Sequence, residues 1–228
     1  MKEYSLKVRR YNPENKNGSN QESFAMKGGE GEKIIFGLNE IHKKYDSSIS
    51  YLIGCKTGHC GLCSMMIDGK PGLACMENLG RESKLEALKG LPVVKDLVID
   101  REAVFGSIRR RIREVIELSG FRPSALNGNL QAGPETFLDK TNCILCLCCL
   151  SVCPVREKNG HDVYLPLEFL YLDMMNFVDM KDKSWGRKVL EMTGLMECTD
   201  CKKCQRACPR NIKIYDRIIK PMKAYFSS

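Results

Sequence analysis

Five cysteines fall within eleven residues, Cys143-Ile-Leu-Cys-Leu-Cys-Cys-Leu-Ser-Val-Cys153, and Pro154 follows. No common metal site takes five thiolates from one short loop, so these sulfurs must be shared out. A second run, Cys198-x2-Cys201-x2-Cys204-x3-Cys208-Pro209, lies farther along. The same register picks out Cys143, Cys146, Cys149 and Cys153 in the first run. Both runs then follow bacterial ferredoxin spacing, in which the fourth cysteine of each ligates the other cluster. One [4Fe–4S] cluster is expected on Cys143, Cys146, Cys149 and Cys208. The other is expected on Cys153, Cys198, Cys201 and Cys204. Cys148 is out of register with both runs and reads as a buried free thiol that is not a ligand.

A third constellation precedes these. Cys55-Lys-Thr-Gly-His-Cys60-Gly-Leu-Cys63, with Cys75 twelve residues on, has the plant-type [2Fe–2S] spacing. Sulfurs that converge from one short loop need backbone close by, and Gly54, Gly58 and Gly61 permit that approach. Asp68-Gly69 is a hairpin signal that would bring Cys75 back as the fourth ligand. His59 suggests a Rieske centre, but that needs two histidines in place of two cysteines. All four cysteines are present, and only His42 and His161 remain elsewhere. His59 is read as an ordinary loop residue.

Composition supports metal over disulfides. The thirteen cysteines are odd in number and fall in C-x-x-C runs, and Met1 to Arg10 has no apolar signal segment. No stretch approaches the ~20 apolar residues that span a bilayer. The expected location is cytoplasmic, or peripheral on the cytoplasmic face of a membrane through partner subunits. The formal charge of +8 counts cysteines as neutral. Three oxidised clusters of about −2 each would bring it to about +2. Arg109, Arg110, Arg111 and Arg113 lie among Val104, Ile108, Ile112 and Val115 at helical spacing. They read as the solvated face of an amphipathic helix rather than a docking patch or a nucleic-acid surface.

The two halves differ in pattern. Tyr4 to Arg9 alternates, Asn12 to Gly18 is a turn-rich break, and Gln21 to Met26 reads as a returning strand. Ile35, Leu38, Ile41 and Tyr45 mark a helix within 34–45. Ser64 to Ile67 and Lys70 to Cys75 flank the Asp68-Gly69 turn. Residues 119–138, with Gly120, Pro123, Gly128, Gly133 and Pro134, read as an irregular connection. Beyond it the chain reads as helical. Leu165 to Val178, with Met174 and Met175, is apolar nearly all round and so expected to be buried.

With these motifs in order, the chain resembles the iron–sulfur subunit of succinate dehydrogenase and fumarate reductase. The likeness covers nearly the whole chain. It includes the plant-type motif ahead of the two-cluster region, the phrase Cys143-Ile-Leu-Cys-Leu-Cys-Cys149, and Lys95-Asp-Leu-Val-Ile-Asp100 before the connection. The resemblance implies an α+β protein. A β-grasp ferredoxin domain at 1–105 would be followed by an all-α domain at 106–228 with two [4Fe–4S] clusters, the irregular connection lying at about 119–139. It implies a partner carrying FAD, where succinate and fumarate interconvert, so that this chain relays electrons and holds no catalytic residue.

Two departures bear on the far end of that relay. Quinone-linked members lack one cysteine of the second run and carry a [3Fe–4S] cluster there, whereas Cys201 fills the position here. Those members also place a tryptophan shortly after the first Cys-Pro and a histidine after the first cysteine of the second run. Here Val155 follows Pro154, Thr199 follows Cys198, and the sole tryptophan is Trp185. A quinone pocket of the usual kind is not expected. The sequence looks closer to a branch whose iron–sulfur subunit passes electrons to a cysteine-rich, heterodisulfide-reductase-like subunit that meets a quinone or a thiol carrier; the third subunit is expected to be such a protein or a membrane anchor. Two other readings use the same residues: this relay serving a different flavin dehydrogenase or a hydrogenase-type complex, and a zinc-stabilised protein using its arginines on nucleic acid.

Overall fold

The computed structural model describes residues 2–14, 20–119, 140–159, 166–174 and 193–227. The chain divides into two units, Met1–Arg101 with Ile144–Ser151, and Glu102–Cys143 with Val152–Ser228. Nearly all of the expected connection at 119–139, together with His161, Trp185 and the ends of the apolar stretch 165–178, lies outside the described residues.

In the first unit β1 (Lys2–Arg10), β2 (Asn20–Gly28), β3 (Ser64–Ile67), β4 (Lys70–Leu73) and β5 (Glu82–Glu86) form one mixed sheet in the order β2-β1-β5-β3-β4. Tyr4, Leu6 and Val8 alternate along β1 and are buried, as period-two patterning requires of a strand covered on one face. β1 pairs antiparallel with β2, Leu6 opposite Phe24, and parallel with β5, Val8 opposite Leu85. Helix α1 (Ile34–Lys44) supplies Ile34, Ile35, Leu38 and Ile41, each fully buried. Burying such a side chain is worth ~1.5–3 kcal/mol. His42, Lys43 and Lys44 in its last turn suit the negative end of the helix dipole.

The turn between β3 and β4 has positive φ at both Asp68 and Gly69, the hairpin geometry the dipeptide signals. A two-stranded ribbon, β6 (Val93–Lys95) with β7 (Val98–Ile99), completes the unit. Between its strands the buried carboxylate of Asp96 accepts from Arg10 Nε at 3.0 Å, from the Tyr11 amide at 3.0 Å and from the Ser50 amide at 2.9 Å. That knot ties the ribbon to the end of β1 and to the loop after α1, the loop that carries the first cysteines.

Helix α2 (Arg101–Ser119) buries Val104, Ile108 and Val115, while Arg109, Arg110 and Arg113 are exposed. The solvated-face reading holds for those three. Arg111 differs, because its Nε lies 3.4 Å from the carboxylate of Glu168, which is fully buried. Helix α3 (Cys148–Ser151) belongs to the first unit and α4 (Pro154–Asn159) to the second. Helix α5 (Leu167–Met174) buries Leu167, Phe169, Leu170 and Leu172, as its all-round apolar pattern predicts. The short α6 (Lys203–Arg206), a π-helical turn at Tyr215–Ile219 and α7 (Lys220–Ser227) complete the described residues. A mixed sheet followed by helices is the α+β arrangement expected. Among the described residues no helix is long and apolar enough to cross a membrane.

Candidate metal centres

The first cysteine loop runs from α1 to β3, and Cys75 lies just beyond β4. The loop turns its own amides onto its sulfurs. Thr57 and His59 donate to Cys55 Sγ at 3.4 and 3.2 Å, and the Cys55 amide donates to Cys60 Sγ at 3.4 Å. Positive φ at Lys56, Gly58 and Gly61 makes the inward turn possible. A Cβ at Gly54 would stand 2.8 Å from Cys60 Sγ, so that approach needs glycine. The hydrogen bonds from Thr57, by amide and side chain, and from the His59 amide draw the Cys55 thiol down to about 6. Cys63 is pushed the other way, up to about 12, by burial and by its neighbour Cys75. A metal held there would override that penalty, because a coordinating thiol loses its proton. The His59 ring is exposed, 3.2 Å from Thr57 Oγ1, and behaves as the ordinary loop side chain expected. It is the His59 amide, which spacing could not single out, that reaches a sulfur.

The first unit also holds Ile144–Ser151, and with it Cys146, Cys148 and Cys149, all buried. Leu145 and Leu147 on either side of Cys146 have φ of 55° and 66°. A left-handed bulky residue costs ~1–2 kcal/mol, and strain of this kind gathers at functional sites. The same conformation recurs at Asp200 and Lys202 in the third cysteine region. Cys148, fully buried, donates by thiol and amide to the Cys146 sulfur. Those bonds, opposed by burial and aided by Arg101, bring Cys146 down to about 7.

In the second unit Cys153, Cys198, Cys201 and Cys204 line one cavity with Pro154 and Tyr215. It holds about 340 Å³ of empty space, counting the part open to solvent. Burial pushes Cys204 up to about 12 and raises Cys153 and Cys198. The cavity rim is braced by cations on backbone carbonyls. Lys223 Nζ donates to the Cys198 carbonyl at 2.9 Å and to Asp200 at 2.7 Å, and Arg206 donates to the Cys201 carbonyl at 2.9 Å. Lys202 pairs with Asp216 at 2.9 Å and lies 5.3 Å from the centre of the Tyr215 ring.

The four sulfurs of this cavity come from two separate cysteine runs. Among the described residues no three Cys, His, Asp or Glu side chains close to the spacing of a single bound ion. Soft sulfur donors disposed around a larger space suit a polynuclear sulfide cluster. The remaining cysteines divide between the units, Cys146 and Cys149 in the first, Cys143 and Cys208 in the second. Arg101 and Lys223, whose donors reach cysteine-loop carbonyls, carry no motif that would have marked them in the sequence.

Residues 5–106 match the model of a 2Fe-2S iron–sulfur cluster binding domain, and residues 139–212 match that of a 4Fe-4S dicluster domain. The chain therefore carries both kinds of cluster-binding domain. It is 28% identical over 223 residues to a subunit of the fumarate reductase (CoM/CoB) of Methanothermobacter marburgensis, covering 96% of this chain and 44% of that one. It is 28% identical over 193 residues to a mitochondrial succinate dehydrogenase [ubiquinone] iron–sulfur subunit of Oryza sativa subsp. japonica, covering 80% and 67%. Archaeal relatives are longer, and the chain spans 38% to 44% of their length. Its fold is that of a chain in the Mycobacterium smegmatis Sdh1 complex, with a TM-score of 0.81 over 100% of this chain and 96% of the other at 23% identity.

Proposed function

We propose that this chain, a homologue of the iron–sulfur subunits of fumarate reductase and succinate dehydrogenase, is the electron-transfer subunit of an oxidoreductase that interconverts succinate and fumarate. The substrate chemistry belongs to a partner carrying FAD, and this chain passes electrons between it and a third subunit. Its cofactors are one [2Fe–2S] cluster on Cys55, Cys60, Cys63 and Cys75, and two [4Fe–4S] clusters. Cys143, Cys146, Cys149 and Cys208 hold the first of these, and Cys153, Cys198, Cys201 and Cys204 the second. Iron–sulfur clusters so bound take up and release single electrons at potentials set by hydrogen bonds, charge and exposure.

The observation that carries this reading is the cavity in the second unit, lined by all four cysteines that spacing assigns to one cluster. The residues of the chain do three things there and in the first loop. Thiolates supply soft donors. Amides of Cys55, Thr57 and His59 stabilise negative charge on sulfur. Burial of Cys63, Cys75 and Cys204 keeps water from the ligands.

For the third subunit, a cysteine-rich heterodisulfide-reductase-like protein is favoured over a membrane anchor. Two observations support it: the stretch Val155 to Gly160 after Pro154 lacks the tryptophan of quinone-linked members and Thr199 follows Cys198 where they have histidine, and one relative's name specifies CoM/CoB. On that reading the chain is cytoplasmic, or attached to a membrane face only through partners. The test uses the complex purified anaerobically from its native cells, reduced until the iron–sulfur absorption bleaches, then mixed with fumarate. Prompt reoxidation, followed by EPR and visible absorption, is expected. Reduced centres indifferent to fumarate would remove the substrate assignment and leave the alternative, a relay for another flavin dehydrogenase or a hydrogenase-type complex.

A further inference from the structure

Arg101 is the last residue of the first unit's main segment and the first of α2. Its position is set from the preceding residue, because the Asp100 amide donates to the Pro92 carbonyl at 2.8 Å and anchors the chain at the ribbon. From there the guanidinium reaches 44 residues along the sequence and donates by Nη2 to the Leu145 carbonyl at 2.7 Å. Leu145 is the left-handed residue immediately before Cys146. The two cysteine loops of this unit meet at the same place. A Cβ on Gly61, next to Cys60, would come within 3.0 Å of the Cys146 Cα and 3.1 Å of its Cβ. Burial lowers the hold of Arg101 on its proton, and negative charge on the sulfurs of Cys146 and then Cys60 opposes that effect.

A partly buried cation is an unusual thing to place between two sulfur-rich loops. Burial raises its cost, and only a compensating negative charge offsets that. Thiolates of metal centres carry such charge, and reduction adds more. A fixed positive charge therefore favours the reduced state of each centre nearby, and a hydrogen bond to the loop carbonyl fixes the backbone that presents the ligand.

We propose that Arg101 is a positioning residue shared by two metal centres: it holds the Leu145 carbonyl in place and sets one positive charge against the Cys60 and Cys146 loops, raising the reduction potentials of both. The proposal rests on the ligand assignment given under the proposed function. Arg101 thereby keeps the first two steps of the relay matched, since one charge moves both potentials in the same direction.

The test is an EPR-monitored redox titration of the native complex carrying Arg101→Gln or Arg101→Lys, with iron and sulfide content measured alongside. Arg101→Gln is expected to lower the midpoints of the [2Fe–2S] centre and of the [4Fe–4S] centre that includes Cys146. The shift is about tenfold in the reduction equilibrium, or about 59 mV for a one-electron couple. Arg101→Lys should keep both midpoints near those of the wild type. Three unchanged midpoints in the glutamine variant would overturn the proposal. So would a lysine variant that behaves like the glutamine one. Should glutamine cost a cluster outright, the lysine variant decides: retained clusters with near-native midpoints support the role of charge, and lost clusters refute it. A wild-type complex without one [2Fe–2S] and two [4Fe–4S] signatures would instead remove the ligand assignment itself.

Discussion

Gly61 packs against Cys146 so closely that a Cβ on the glycine would stand 3.0 Å from the cysteine Cα and overlap the carbonyl oxygen of Ile144. Gly61 also has φ of +68°. Two cysteine loops are thus joined through a residue that must lack a side chain for both conformational and steric reasons.

Gly61→Ala should therefore destabilise the protein by about 2–4 kcal/mol, combining a left-handed alanine with an overlap against backbone. Gly69→Ala is the comparison. Gly69 has a similar φ of +78° but no atom within 4 Å of its Cβ position, so its cost should be about 1 kcal/mol. Thermal unfolding of the two variants reads the difference. Equal costs would mean that the contact between the loops contributes nothing.

Cys148→Ser should leave iron and acid-labile sulfide at wild-type levels, because the proposed ligand set leaves Cys148 out and a serine hydroxyl can still donate to the Cys146 sulfur. Cys148→Ala removes that donor and should lower the potential of the centre that includes Cys146 while preserving its cluster. Loss of any EPR signal in the serine variant would require a different set of ligands.

Cys201→Ser should convert the [4Fe–4S] cluster proposed for the second-unit cavity to a [3Fe–4S] form, detectable by EPR of the oxidised complex. Serine is a harder and less acidic ligand than cysteine and does not replace it on iron readily. An unchanged [4Fe–4S] signature would show that Cys201 is not the fourth ligand.

Arg10→Met should cost about 3–5 kcal/mol in chemical denaturation, because it leaves the Asp96 carboxylate buried without its cation. Burial works against the Arg10 charge, yet hydrogen bonds to Asp96, Asp46 and Glu22 more than offset it and raise its hold on the proton. A pH signature accompanies the same knot. Asp46 is drawn down to about 2 by hydrogen bonds from Ser48 and then by Arg10. A carboxylate lowered in the folded state contributes stability above its unfolded value, near 4, and loses it as pH falls toward 2. Unfolding curves of wild type and Asp46→Asn should keep a constant separation from pH 5 to 8 and converge below about pH 4. Convergence already at pH 6 would assign the effect to another group.

Much of the site was readable because iron–sulfur ligation is written in local spacing. Register alone groups Cys153, Cys198, Cys201 and Cys204, and they line one cavity. Strand β1, helix α1 and the turn at Asp68-Gly69 followed from period-two and helical patterning and from turn chemistry. Arg111 is indistinguishable in the sequence from its solvated neighbours, since nothing in a run of arginines says that one of them meets the buried Glu168 57 residues away.

The cysteine spacings, the glycines beside them and the alternation of β1 were enough to specify cluster-binding loops on a mixed sheet followed by helices, because each depends on residues within a turn or two of one another. Folding in three dimensions settled what surrounds those loops. It brought Ile144–Ser151 into the first unit, set Leu145 and Leu147 in strained conformations, and carried the Arg101 guanidinium to a carbonyl beside Cys146. Such placements depend on contacts between residues tens of positions apart, whose energies exist only once the chain has packed. Spacing can therefore group the candidate sulfurs, while the charges and amides set beside them are chosen by packing.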